Sequence, residues 1–139
     1  MMAIIKAYPP NYKEIKKVFK DLPDSAIFTY GSVIYAPNND LNPILMRHEE
    51  IHSQQQKEMG VEKWWDRYLR DANFRLSQEV EAFQQEYRLA KKLIKDRNSL
   101  ARLLFSMAKN LSAPMYGKII SYQQAFEAIK CEKLYKFKV

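Results

Sequence analysis

The sequence predicts an α+β fold in which helices dominate and the β content is confined to a small hairpin. Three observations lead there. Glycine is scarce, with three residues in 139, which suits helices better than a many-turned β-protein. Apolar residues recur at steps of three and four over long stretches, the period of a helix buried on one face. One short region has the β-branched and aromatic composition of strands: residues 26–30 and 33–35, with Gly31-Ser32 between them suited to a tight turn. With 47% hydrophobic residues the chain has ample material for a core, and its length matches one ordinary domain, residues 1–139.

The elements follow in order. Pro9 and Pro10 push their predecessors out of the helical region, so the opening is extended. Asn11 is placed to cap a helix over residues 12–20, with Ile15, Val18 and Phe19 on one side and Leu22-Pro23-Asp24 as its end. The hairpin comes next, either a plain stabilising unit or an edge strand able to pair with an extended peptide. The polar loop Pro37-Asn38-Asn39-Asp40 closes it.

Asn42 before Pro43 marks a helix start, a capping side chain followed by proline at the first helical position. That helix spans residues 43–59 and stops at Gly60. Residues 61–69 form a short aromatic helix with Trp64, Trp65 and Tyr68 in the core. Residues 71–75 break the rhythm. A long helix over 76–95 carries Leu76, Val80, Phe83, Tyr87, Ala90 and Ile94 on one face. Asn98 or Ser99 caps the next helix, to about residue 110. Pro114 and Gly117 interrupt, and Ser121-x-x-Gln124 reads as a capping box for a last helix to about residue 130. Residues 134–139 alternate, as a strand or a loose tail.

The chain has two histidines, and both lie in His48-Glu49-Glu50-Ile51-His52, an H-E-x-x-H pattern. On a helix they sit about 40° apart on one face. That face also carries Ile44, Leu45, Ile51 and Met59, so the imidazoles point inward, where they require a ligand or hydrogen-bond partner. Two imidazoles so placed can chelate one Zn²⁺, with Glu49 at the border of the stripe as a general base. A catalytic zinc site takes three protein ligands. No third histidine exists and Cys131 is the lone cysteine, so a carboxylate must be the third. On the 76–95 helix Glu79 lies about 60° from the centre of the apolar face, Glu86 about 80° and Glu81 about 140°. Glu79 is best placed, Glu86 next, and Glu81 faces solvent.

His48-Glu49-x-x-His52 followed by a helix bearing Glu79-Val80-Glu81-Ala82 resembles the gluzincin branch of the zincin metallopeptidases. The resemblance spans about residues 26–90 and extends to the order of hairpin, histidine helix and glutamate helix. A softer likeness is to small stand-alone metallopeptidase-like proteins of bacteria and their phages. The resemblance implies a zincin-like helical core, Zn²⁺ held by His48, His52 and Glu79, Glu49 as general base, and a peptide or protein substrate. Phe83 stands where some gluzincin families carry an aspartate. Donors for an oxyanion are sought among Tyr30, Tyr35, Tyr68, Arg75 and Tyr116, with Tyr116 in a loop where its phenol is open to solvent. Asp71 or a glutamine is placed to orient a histidine.

Composition narrows the alternatives. One cysteine excludes an internal disulfide and thiolate-rich zinc sites. No secretory h-region opens the chain and no apolar run reaches membrane-spanning length, so a cytoplasmic setting is expected. The net charge of +7 invites nucleic acid. The basic residues are nevertheless scattered among acidic ones, with local runs only at 13–20, 88–97 and 130–138, and no aromatic-interleaved RNA motif is visible. A zinc peptidase is thus the first expectation. A metal-binding protein with a structural or interaction role is the second, and a basic nucleic-acid binder the third.

Overall fold

A computed structural model describes residues 2–38, 40–117 and 119–133. The described residues form six α-helices, one 3-10 turn and one three-stranded sheet, the α+β class with helices predominating that the sequence predicts. The chain divides into two compact units, Met1–Arg70 and Asp71–Val139.

The first unit contains β1 (Ala3–Ile5), α1 (Tyr12–Val18), β2 (Phe28–Tyr30), β3 (Val33–Tyr35), α2 (Pro43–Met59) and α3 (Val61–Arg70). The hairpin is present as expected: β2 and β3 pair antiparallel, Tyr30 opposite Val33, and Gly31 turns the chain at φ 63°. β1 is new. It pairs parallel with β3, Ile4 opposite Ile34, so β3 is the middle strand in the order β1-β3-β2. Its three residues are exposed and too few to alternate, and its partner edge lies some thirty positions away, so no local pattern announces it.

α1 ends at Val18, before the expected boundary. Asn11 occupies its N-cap position but its side chain makes no capping bond. Its backbone, at φ −98° and ψ 22°, departs from the extended geometry from which a capping oxygen reaches the first turn. α2 behaves as read. The Asn42 side-chain oxygen accepts from the Ile44 and Leu45 N–H groups at 3.0 and 2.9 Å, Pro43 follows, and Gly60 ends the helix. In α3, Trp64, Trp65 and Tyr68 are buried, with Trp64 stacked on Tyr68 at 4.7 Å.

The second unit contains α4 (Ala72–Leu93), α5 (Arg97–Leu111), the 3-10 turn Pro114–Tyr116 and α6 (Tyr122–Lys130). α4 starts four residues earlier than expected, because the Asp71 side chain accepts from the Phe74 N–H and makes residues 71–75 a capped first turn rather than a break. Asp96, not Asn98 or Ser99, caps α5; its carboxylate takes both the N–H and the hydroxyl of Ser99. The Ser121–Gln124 capping box of α6 is formed in both directions. Leu76, Val80, Phe83 and Tyr87 of α4 build a core with Leu104, Met107 and Leu111 of α5 and Ala125, Ala128 and Ile129 of α6. Buried Gln84 donates to the Ala128 and Lys133 carbonyls and holds the chain after α6. Residues 134–139, read as a strand or a tail, lie outside the described residues. None of the described helices is long and apolar enough to cross a membrane.

Candidate metal centre

α2 presents two rows of side chains. The first is His48, Ile51, His52 and Gln55, all buried. The His52 Nδ1 lies 2.9 Å from the Gln55 side-chain oxygen. An amide oxygen only accepts, so Nδ1 carries the proton and donates, and the lone pair of His52 is left on Nε2. That Nε2 is 3.2 Å from the Nε2 of His48. Two nitrogens bound at 2.0–2.1 Å to one tetrahedral zinc would stand about 3.3 Å apart, so the pair already has the spacing of two ligands of one ion. The His52 ring packs against the stacked aromatic pair of α3, 5.4 Å from Trp64 and 6.4 Å from Tyr68 by ring centroid. Such a shell lowers the local dielectric around a bound cation.

The second row is Glu49, Ser53 and Gln56, at steps of four and three, and it docks the hairpin on the helix. The Thr29 hydroxyl donates to Oε1 of Glu49 at 3.0 Å. The Ser53 hydroxyl donates to the Gly31 carbonyl at 2.7 Å. Gln56 accepts from the Gly31 N–H at 2.7 Å and donates to the Thr29 carbonyl at 2.8 Å. Sequence reasoning placed Glu49 at the border of the buried stripe but missed Thr29, Ser53 and Gln56. The polar repeat beside Glu49 was a usable signal for the last two. Nothing local points from a strand threonine to a helix glutamate.

The same contacts bear on the hairpin as a peptide-binding edge. Thr29 pairs with Ile34, one step from the two-residue turn, where an antiparallel ladder turns the carbonyl away from the partner strand. Two donors already meet that carbonyl, the Gln56 amide and the Trp65 indole N–H at 3.1 Å. At this residue the outer edge of β2 is covered.

α4 is buried on more than its apolar face. Beside the core row lies a second buried row, Arg75, Glu79, Ala82 and Glu86. Glu79 and Glu86 are both 3% exposed. Glu81 is half-buried rather than turned to solvent, because the buried arc is wider than the apolar stripe by which the sequence measures it. Among the described residues, His48, His52 and Glu79 form a group that could hold a metal ion: each offers one ligand atom, these atoms lie within 4.8 Å of one another, and all three residues are buried. Two imidazoles and a carboxylate suit a divalent cation that prefers nitrogen and oxygen donors. Glu49 and Glu86 are not members of the group.

The other expected site residues divide. Gln55 is the glutamine that orients a histidine, while Asp71 caps α4. Tyr116 ends the 3-10 turn half-buried against the core of its unit, rather than exposed in a loop. Tyr30 and Tyr35 are half-buried on the hairpin, Tyr68 is stacked on Trp64, and Arg75 is buried one turn before Glu79 on α4. No family model, curated protein or solved structure matches the chain.

Proposed function

We propose that the protein is a zinc-dependent peptidase whose metal is held by His48, His52 and Glu79. The observation that carries the reading is the buried group of these three side chains, with the lone pair of His52 set on the nitrogen that faces His48. Zinc fits the donor set best, since two neutral imidazoles and one carboxylate, with no thiolate, are ligands typical of its catalytic sites. When bound it supplies Lewis acidity, acidifying water and polarising a carbonyl.

The chain's own residues supply the rest. Glu49 takes the proton of the attacking water and passes it to the leaving amine. The Thr29 hydroxyl donates to one oxygen of that carboxylate and so holds its orientation. Gln55 fixes the tautomer of His52.

The test begins with the metal content of purified protein. About one zinc per chain is expected in wild type, with loss in His48→Ala and in Glu79→Ala. Proteolysis of unfolded protein substrates should then disappear in Glu49→Gln while zinc is retained. A wild type that stays metal-free after zinc is added back would end this reading.

One observation favours a second reading, a metal-binding protein with a structural or interaction role and no proteolysis. The Thr29 carbonyl, which an extended substrate would use on the strand edge, is already engaged by Gln56 and Trp65. Under that reading Glu49→Gln keeps zinc and wild type cleaves nothing.

A further inference from the structure

The charge of the chain is unevenly divided. Residues 1–70 carry ten lysines and arginines against nine acidic residues, whereas residues 71–139 carry thirteen against seven. Between Arg88 and Lys118 there are eight basic residues, and Asp96 is the single acidic one. Asp96 is occupied as the cap of α5.

Within that unit the fold assembles a surface that no stretch of sequence contains. On α5, Arg102, Phe105 and Lys109 follow at steps of three and four, and all are exposed. On α6, Tyr122, Phe126 and Lys130 follow at steps of four. The two rows meet through their rings. Phe105 stacks on Phe126 at 5.7 Å and 24°, and Tyr122 continues the row at 6.3 Å from Phe126. Phe105 is 50% exposed and Tyr122 42%, a large apolar area to leave in water. The Lys130 ammonium stands 5.3 Å over the Phe126 ring. Glu127, the acid of α6, accepts from Gln123 on its own helix.

We propose that this α5–α6 face binds single-stranded nucleic acid, its aromatic row stacking on bases and Arg102, Lys109 and Lys130 meeting the phosphates. Stacking platforms interleaved with cations are the means by which proteins hold single strands without reading sequence, since every base has a π-face. A membrane surface would demand an aliphatic face around the rings. The exposed residues of α5 beside this row are Asn98, Ser106 and Asn110, which do not insert. The bound polymer is therefore a polyanion with flat, stackable bases.

The test is fluorescence anisotropy of the full-length protein as purified with a short labelled oligothymidylate, repeated in EDTA with folding checked by circular dichroism so that the result is separated from the metal reading. Binding is expected to weaken with salt. Phe105→Ala should weaken it about tenfold, with the salt slope unchanged. The combined variant R102Q/K109Q/K130Q should lower the slope of log affinity against log salt by about 2. The surface triple variant serves as the independent arm should Phe105→Ala perturb folding, which circular dichroism reports. A duplex of the same length should bind more weakly. No binding at low salt, a triple variant with the wild-type slope, or a duplex held as tightly as the single strand would each overturn the proposal. So would binding to phosphatidylserine-rich vesicles in place of the oligonucleotide.

Discussion

At the scale of single residues, three side chains that do not touch an ion are assigned consequences. Gln55 holds the Nδ1 proton of His52, so Gln55→Leu should lower zinc affinity about 10- to 100-fold in competition with a chromophoric chelator. An unchanged affinity would mean that the tautomer is set by something else. Thr29 and Glu49 are both buried, 2% and 8% exposed, so removing the hydroxyl with Thr29→Val strips a donor from a buried carboxylate. The expected loss is about 1–3 kcal/mol in urea unfolding, largely restored by Thr29→Ser. Asp96 titrates in a different setting, fully in water. The hydroxyl of Ser99 first, and its N–H second, hold the Asp96 carboxyl below the usual aspartate range. A depressed folded-state value means that the cap stabilises the fold above about pH 4 and that this contribution is lost as pH falls through the lower value. The stability gap between wild type and Asp96→Ala should therefore be flat from neutral pH down to that point and close below it.

At the scale of elements, the helix ends decide where the functional side chains stand. α2 is started by Asn42 and Pro43 and stopped at Gly60, so its rows of His48, His52 and Gln55 and of Glu49, Ser53 and Gln56 have a defined phase. Asn42→Ala should cost about 1 kcal/mol by thermal unfolding, the usual worth of a capping side chain with two N–H partners. Gly117 lies between the 3-10 turn and α6. Its φ is 83°, and a Cβ there would stand 3.0 Å from that of Ala72. Gly117→Ala should therefore lose about 1–3 kcal/mol through backbone strain, with the close approach to α4 adding to it. Ala72→Gly in the same chain should return part of that loss, and no return would show that strain alone is responsible.

For the whole molecule, the buried polar groups are the expensive part of the structure. Arg75, Glu79, Glu86, His48, Glu49 and His52 are all buried, a burden that partners or a cation must offset. If zinc is that cation, its binding is linked to folding. Free zinc at a hundredfold excess over its Kd should raise stability by about 2.7 kcal/mol, and chelation should lower the melting temperature correspondingly. A melting curve indifferent to both zinc and chelator would show that folding does not depend on the site.

What the sequence by itself determined is what lies within a few residues: the H-E-x-x-H pair and its inward phase, the start and stop of α2, the Gly31 turn, and the capping box of α6. Caps, turns and helical phase are local interactions, and their signals survive in a linear string. Helical phase also ranked Glu79 ahead of Glu86 as the partner of the histidines, and the assembled group contains Glu79. Tertiary structure alone decided that β1 joins the sheet and that Thr29 holds Glu49. It also set Phe105 and Phe126, twenty-one positions apart, ring to ring. These pairings bring together groups distant along the chain, and their free energy comes from burial and hydrogen bonds that exist only once the elements have packed.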